Sequence, residues 1–225
     1  MIKKVYTYSL VATSIFVFLV WRYIDRIDPS IITNVIVRFS ITAFLDAILA
    51  YGFFQTVANS IIFLSSKVNW AKRLLLGASF IEGVWVGYNH FETDVGFKPR
   101  YTITKIEQDF EEINLSGTSY REDMTLRTIA DTKLEILNTR KKTLTFLYET
   151  KRIEKEAPIS NSFVELRLCN KGHSAPPERM EGTVRYFENG HICHHFSKKV
   201  SDFPCGFTDK ELLNIAKKFY DEENR

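Results

Sequence analysis

RMEGTVRYFENGHICHHFSKKV, residues 179–200, decides how the larger part of this chain folds. Two stretches rich in β-branched and aromatic residues, Arg179–Glu188 and His191–Val200, flank Asn189-Gly190. That dipeptide accepts the positive φ of a tight two-residue turn, so the run reads as an antiparallel hairpin. Working outward, the same period-two pattern recurs at Phe80–His90, Arg100–Phe110, Glu112–Tyr120, Thr125–Leu137, Thr143–Lys151 and Ser162–Cys169. Turn-forming residues separate these stretches at Gly96–Pro99, Asn138–Lys142 and Asn170–Pro177. Eight short strands with no helical crossover predict a small closed antiparallel barrel in meander order, with a β-sandwich as the alternative. After Pro204, TDKELLNIAKKFYDEE (208–223) predicts a terminal helix. Thr208 and Glu211 have capping-box spacing, and Leu212, Leu213, Ile215, Ala216 and Phe219 form one apolar stripe that can lie on the barrel.

The N-terminal part is of a different kind. Residues 1–64 carry only Lys3, Lys4, Arg22, Arg26, Arg38, Asp25, Asp28 and Asp46 as charged side chains. Val5–Trp21 is uncharged and, at ~1.5 Å per residue, reaches about 26 Å, a little short of a ~30 Å hydrocarbon core. Flanking Lys3, Lys4 and Arg22 can snorkel, and Tyr6, Tyr8, Trp21 and Tyr23 suit membrane interfaces. The segment ends in WRYIDRID without a small-residue cleavage site, which favours an uncleaved anchor over a signal peptide. A second apolar stretch, Phe39–Leu64, contains Asp46, Gln55 and Asn59. A carboxylate at that depth is costly, so Asp46 reads either as an inter-helix or inter-subunit contact or as the edge of a span that starts after it. Gln55 and Asn59, four apart, share a helix face and can hydrogen-bond across a helix pair. The expected organisation is a two-pass transmembrane hairpin over 1–65, a juxtamembrane connector over 66–78, and a β-barrel sensing domain with its C-terminal helix over 79–225. The distribution of Lys and Arg leans toward cytoplasmic termini.

Beyond residue 64 there are 25 basic and 24 acidic residues, a balance that argues against a broad surface for DNA or RNA polymers. Cys169, Cys193 and Cys205 show neither metal-knuckle spacing nor a disulfide framework and read as reduced thiols. Of the cluster His191, Cys193, His194 and His195, the three odd-numbered residues share a strand face. The first and last of them lie about 13 Å apart, too far for one tetrahedral metal on a straight strand. No phosphate-binding glycine loop, nucleophile elbow or HExxH helix is present. The expectation is therefore a receptor rather than an enzyme, with no metal and no cofactor.

Candidate binding residues come from strand faces. In EGVWVGY (82–88), Trp85 alternates with Gly83 and Gly87, so an indole is flanked by bare backbone. It reads either as a ligand contact or as a core ring plugging one barrel end. On the next strand Thr102, Thr104, Ile106, Gln108 and Phe110 share a face, and that much polarity suits a lumen holding a polar ligand. Arg167 and Arg185 sit mid-strand, and Tyr101, Tyr120 and Tyr148 offer stacking surfaces. Together they suit phosphates and bases.

The strings EGVWVGY (82–88), TITKIEQ (102–108) and MEGTVRYFENG (180–190), placed after two apolar stretches, resemble the two-transmembrane β-barrel effectors of bacterial antiphage signalling, of the CBASS and related Panoptes types. That resemblance implies a cytoplasmic barrel that binds a cyclic di- or oligonucleotide second messenger. It implies a homo-oligomer in the bacterial inner membrane whose helices disrupt the bilayer, with the ligand acting as activator or, in decoy-type systems, as restraint. A membrane-anchored, lipocalin-like carrier of an apolar ligand and a sealed barrel that docks a partner subunit remain as alternatives.

Overall fold

Alternating side chains and tight turns become eight strands in a closed barrel, each bonded to its neighbours in sequence and the last to the first. The computed structural model describes residues 2–24, 35–93, 96–110, 112–153, 159–172, 175–188, 190–202 and 206–224. The strands are β1 (Gly83–Thr93), β2 (Gly96–Gln108), β3 (Ile113–Tyr120), β4 (Leu126–Asn138), β5 (Thr143–Arg152), β6 (Ser160–Asn170), β7 (Pro177–Tyr186) and β8 (Ile192–Ser201). The barrel reading therefore holds and the sandwich does not. Gly190 takes a φ of +68° at the β7–β8 connection, where Gly190 N–H donates to the Tyr186 carbonyl at 2.9 Å. Asn189, the other half of that turn, lies outside the described residues, as do Glu111, Pro204 and Cys205.

Closure sorts the side chains into an inner and an outer set. Inside, Ile81, Trp85, Ile106, Leu144, Val164, Leu166, Leu168 and Met180 form one buried cluster. Outside, Val84, Val86, Tyr88, Tyr101, Ile103 and Tyr120 form a second, which the terminal helix α4 (Asp209–Glu223) covers with Leu212, Leu213, Ala216 and Phe219. The capping box is present: Glu211 N–H donates to Thr208 Oγ1, and the Glu211 carboxylate accepts from the Thr208 amide at 2.8 Å. Tyr120 hydroxyl donates to Asp209 Oδ2 at 2.7 Å, tying the first turn of the helix to β3.

Trp85 is fully buried, and its indole N–H donates to the Ile81 carbonyl at 2.8 Å. Ile81 N–H in turn donates to Gln108 Oε1 at 2.7 Å, and Gln108 Nε2 donates to the Ser79 carbonyl at 3.0 Å. The Lys199 ammonium lies 4.5 Å from the Phe80 ring centre and 2.6 Å from Asp202 Oδ1. These contacts seal one end of the barrel. Gly87 explains the bare backbone beside the indole, because a Cβ there would collide with the Phe196 carbonyl oxygen and lie 2.8 Å from Ser197 Cβ. The glycine lets β8 approach β1 closely.

The unit formed by Met1–Leu75 is helical: α1 (Ile2–Ile24), α2 (Val35–Lys67) and the short α3 (Asn69–Leu76), which ends at the boundary with the barrel unit, Leu76–Arg225. α1 and α2 meet through aromatic stacking, Phe16 on Phe53 with centroids 4.1 Å apart and Tyr6 on Phe54 at 5.8 Å. Among the described residues no helix is long and apolar enough to cross a membrane. The structure thus gives two helices in place of the two expected spans. Polar residues dilute both, Thr7, Ser9, Thr13 and Ser14 in α1 and Gln55, Thr56, Asn59 and Ser60 in α2. Gln55 and Asn59 are exposed, and the Asp46 side chain lies outside the described residues.

Trp85→Ala is expected to destabilise the protein by about 3–5 kcal/mol, as for other large-to-small changes in a core. Gly87→Ala is expected to cost about 1–3 kcal/mol through overpacking. Urea unfolding of the full chain, followed by barrel circular dichroism, measures both; a Gly87→Ala midpoint equal to wild type contradicts the close-approach account.

Candidate functional site

With one end sealed by Trp85, the lumen opens toward the ends of β1, β3, β5 and β7 and the starts of β2, β4, β6 and β8. The cavity there measures about 120 Å³. Its lower wall is apolar, with Leu115, Phe146, Val164, Leu166, Met180 and Val184, and its upper wall is polar.

Strand register builds the upper wall. His195, Asn89 and Arg100 stand side by side on β8, β1 and β2. Thr102, Ser119, Thr128 and Arg152 continue the row across β2, β3, β4 and β5. Tyr148, Ser162 and Tyr186 complete it on β5, β6 and β7. All but Ser162 line the cavity, and Arg127, at the start of β4, joins them.

Among the described residues, every charged group lining the cavity is a guanidinium: Arg100, Arg127 and Arg152. Arg100 has its pKa lowered by burial and then by the positive charge of Arg127, with Arg152 adding to it. Its guanidinium lies 3.7 Å from the centre of the Phe91 ring. Arg152 Nη2 is 3.3 Å from Glu188 Oε2, an exposed pair of the kind worth little in water. Burial raises the Tyr148 pKa to about 12 and lifts that of Tyr186 well above its usual value, and each tyrosine has the other as a hydrogen-bond partner. Burial also raises Cys193 to about 11, so its thiol is protonated and inert near neutral pH.

His195 is buried and its pKa falls to about 4 through desolvation, which keeps the imidazole neutral. Its Nδ1 lies 2.6 Å from Asn89 Oδ1. An amide oxygen only accepts, so Nδ1 carries the proton and Nε2 keeps a lone pair. Thr150 is 7% exposed, lines the cavity, and its Oγ1 has no hydrogen-bond partner. A buried hydroxyl without a partner costs about 1–3 kcal/mol unless something else meets it.

The residues expected from sequence divide sharply. Thr102 and Tyr148 line the cavity. Trp85 and Gln108 face inward but belong to the sealed end, with their polar groups committed to backbone. Tyr101 and Tyr120 are buried under α4 on the outside of the barrel, because their parity on β2 and β3 is that of the outer face. Arg167 and Arg185 are likewise outward and exposed. Sequence reasoning missed Arg100, Arg127, Arg152, Asn89, His195 and Tyr186. For Arg100 the signal was at hand, since it shares its parity with Thr102 and Thr104. Of the histidine-cysteine cluster, Cys193 and His195 are buried and His194 is exposed, and no metal-binding group of side chains occurs among the described residues.

No protein-family model and no curated protein sequence matches the chain. The site therefore has to be read from its own chemistry.

The neutral histidine makes stability depend on pH. An unfolded histidine titrates near 6.5 and His195 near 4, so the unfolded state binds the extra proton between those values. Stability is complete above about pH 6.5 and declines by about 3 kcal/mol as the pH falls to about 4. Unfolding midpoints across this range, compared with His195→Gln, measure it; the variant is expected to lose that part of the slope, and an unchanged slope contradicts a buried neutral imidazole.

Proposed function

We propose that this protein is a receptor that binds a cyclic di- or oligonucleotide in its barrel and passes the signal to its N-terminal helices at a membrane. The observation that carries the proposal is the cavity's charge: three guanidiniums and no carboxylate among its described lining residues. Guanidinium forks match phosphate oxygens, and burial strengthens the match. The cavity admits one planar ring, with Tyr148 and Tyr186 as walls and the Thr150 hydroxyl and His195 Nε2 to meet ribose and base edges. The phosphates then sit at the arginines, at the mouth.

The helical unit is proposed to work in a bilayer as a two-pass hairpin, oligomerising through its helices, with the barrel in the bacterial cytoplasm. Two features support this. Leu10, Val11, Ile15, Phe18 and Leu19 on α1, and Ile48, Tyr51, Phe63 and Leu64 on α2, are large, apolar and exposed. The helix hydroxyls turn back onto their own backbone, Thr13 on the Ser9 carbonyl at 2.7 Å, Ser14 on that of Leu10 at 2.9 Å and Thr56 on that of Gly52 at 2.8 Å. That habit hides polar groups from an apolar solvent. The antiphage effector role is proposed on the resemblance described above, with the ligand as activator or restraint.

The apolar lower wall favours a second reading, an amphipathic anion such as a fatty acid with its carboxylate at the arginines. Isothermal calorimetry of the detergent-solubilised chain against a panel of cyclic di- and trinucleotides, with a fatty acid as the other arm, separates the two. Arg100→Ala and Arg127→Ala are each expected to weaken nucleotide binding about 10–100-fold, the loss of one charged hydrogen-bonding partner. Arg167→Ala and Arg185→Ala are expected to bind as wild type. Heat from the fatty acid alone replaces the nucleotide reading with the second one, and heat from neither arm removes both.

A further inference from the structure

The short helix α3 presents a face that neither the barrel's ligand nor the pairing of α1 and α2 uses. Trp70 is 71% exposed and Leu74 60% exposed, four residues apart and so on one side of the helix. Leu75 and Leu76, on the opposite side, are buried. Such exposure is unusual for an indole, which normally hides its ring and finds a partner for its N–H. The charges flanking this face are of one sign. From residue 47 to residue 81 the chain has no acidic residue and three basic ones, Lys67, Lys72 and Arg73. Arg73 falls beside the Trp70–Leu74 line on α3, and Lys67, the last residue of α2, precedes that helix. The apolar surface also continues from the end of α2, where Ile62, Phe63 and Leu64 are exposed, through Val68.

We infer that α3 is an interfacial helix that lies on an anionic lipid surface, with Trp70 and Leu74 inserted at headgroup depth and Lys67 and Arg73 on lipid phosphates. An indole satisfies both demands of that zone, with its ring in the acyl boundary and its N–H on a carbonyl or phosphate oxygen. Cations along the edge of the apolar face gain from negative headgroups, and a short amphipathic helix needs no more length than this to lie in the plane. A protein surface is the alternative occupant, and the quenching pattern separates the two. The inference concerns α3 alone and needs neither a crossing helix nor a nucleotide.

Tryptophan fluorescence tests it, because the chain has three tryptophans and two are easily set aside. Trp21→Phe removes one, and Trp85 is fully buried inside the barrel and insensitive to lipid-borne quenchers. The full-length Trp21→Phe protein is reconstituted in vesicles of phosphatidylcholine and phosphatidylglycerol that carry bromines at shallow or deep acyl positions. The expected result is at least twofold stronger quenching of Trp70 by shallow than by deep bromines, together with protection from aqueous iodide. Lys67→Gln with Arg73→Gln is expected to reduce quenching selectively in the anionic vesicles, and Trp70→Phe in the same background removes the quenchable signal. Full access of iodide to Trp70 in vesicles overturns the proposal. So does shielding from iodide with no bromine quenching, which places the indole against protein instead. A failure of nucleotide binding leaves this readout untouched, and a failure of lipid contact leaves the calorimetry untouched.

Discussion

One hydrogen bond sets the character of the barrel. Trp85 donates its indole N–H to the carbonyl of Ile81 across a single turn of chain, and the Ile81 amide is held by Gln108 from β2. A tryptophan with its N–H unpaired in a dry core would be costly, and the Ile81 carbonyl removes that cost. With that end filled, the eight-stranded barrel becomes a cup with one mouth. Everything functional follows from which residues the strands carry toward the open end. Had the indole pointed outward, the same strands would enclose an open tube with no floor for a ligand to rest on.

The cup is built on a strict alternation that serves two tasks. Along β1 and β2 the odd and even positions go to different places: Val84, Val86 and Tyr88 to α4, Trp85 and Asn89 to the lumen, Thr102 and Thr104 to the lumen, Tyr101 and Ile103 to α4. A one-residue slip would exchange these roles wholesale, which is why register is so firmly set. α4 matters for this reason. Its capped first turn and its stripe of Leu212, Leu213, Ala216 and Phe219 bury the aromatic outer face of β1 and β2 and so help hold the pair in register.

That alternation also explains what could be read from the sequence. Strand positions, meander order and the capped terminal helix were legible because each rests on local periodicity and turn chemistry. Assigning a strand's two faces was harder. Tyr101 and Tyr120 resemble stacking residues, but the helix that covers them is encoded 89 residues or more downstream. Arg167 and Arg185 drew notice by standing mid-strand, yet their parity sends them outward. The useful arginines lie at strand ends, where charged residues usually belong to solvent, and only closure of the barrel brings Arg100, Arg127 and Arg152 from β2, β4 and β5 to one mouth. For the helical unit, the sequence predicted two membrane spans; the structure has two helices there, neither long and apolar enough among the described residues to cross a membrane, and the exposed Trp70 carries no periodic signal.

Bringing three guanidiniums together has an energetic consequence that bears on how a receptor of this kind is poised. The lowered pKa of Arg100 records first its burial and then the like charge of Arg127, and Arg152 lies 3.3 Å from a Glu188 carboxylate oxygen. Here the strain falls around an apolar-floored cavity that also holds an unmatched hydroxyl, Thr150, and a histidine kept neutral by burial. Each of these imperfections is relieved by the same event, the arrival of a group that brings negative charge to the mouth and donors and acceptors to the wall. On the proposed reading, an anion relieves repulsion among β2, β4 and β5 at once, so its binding energy is released across three strands rather than at one contact.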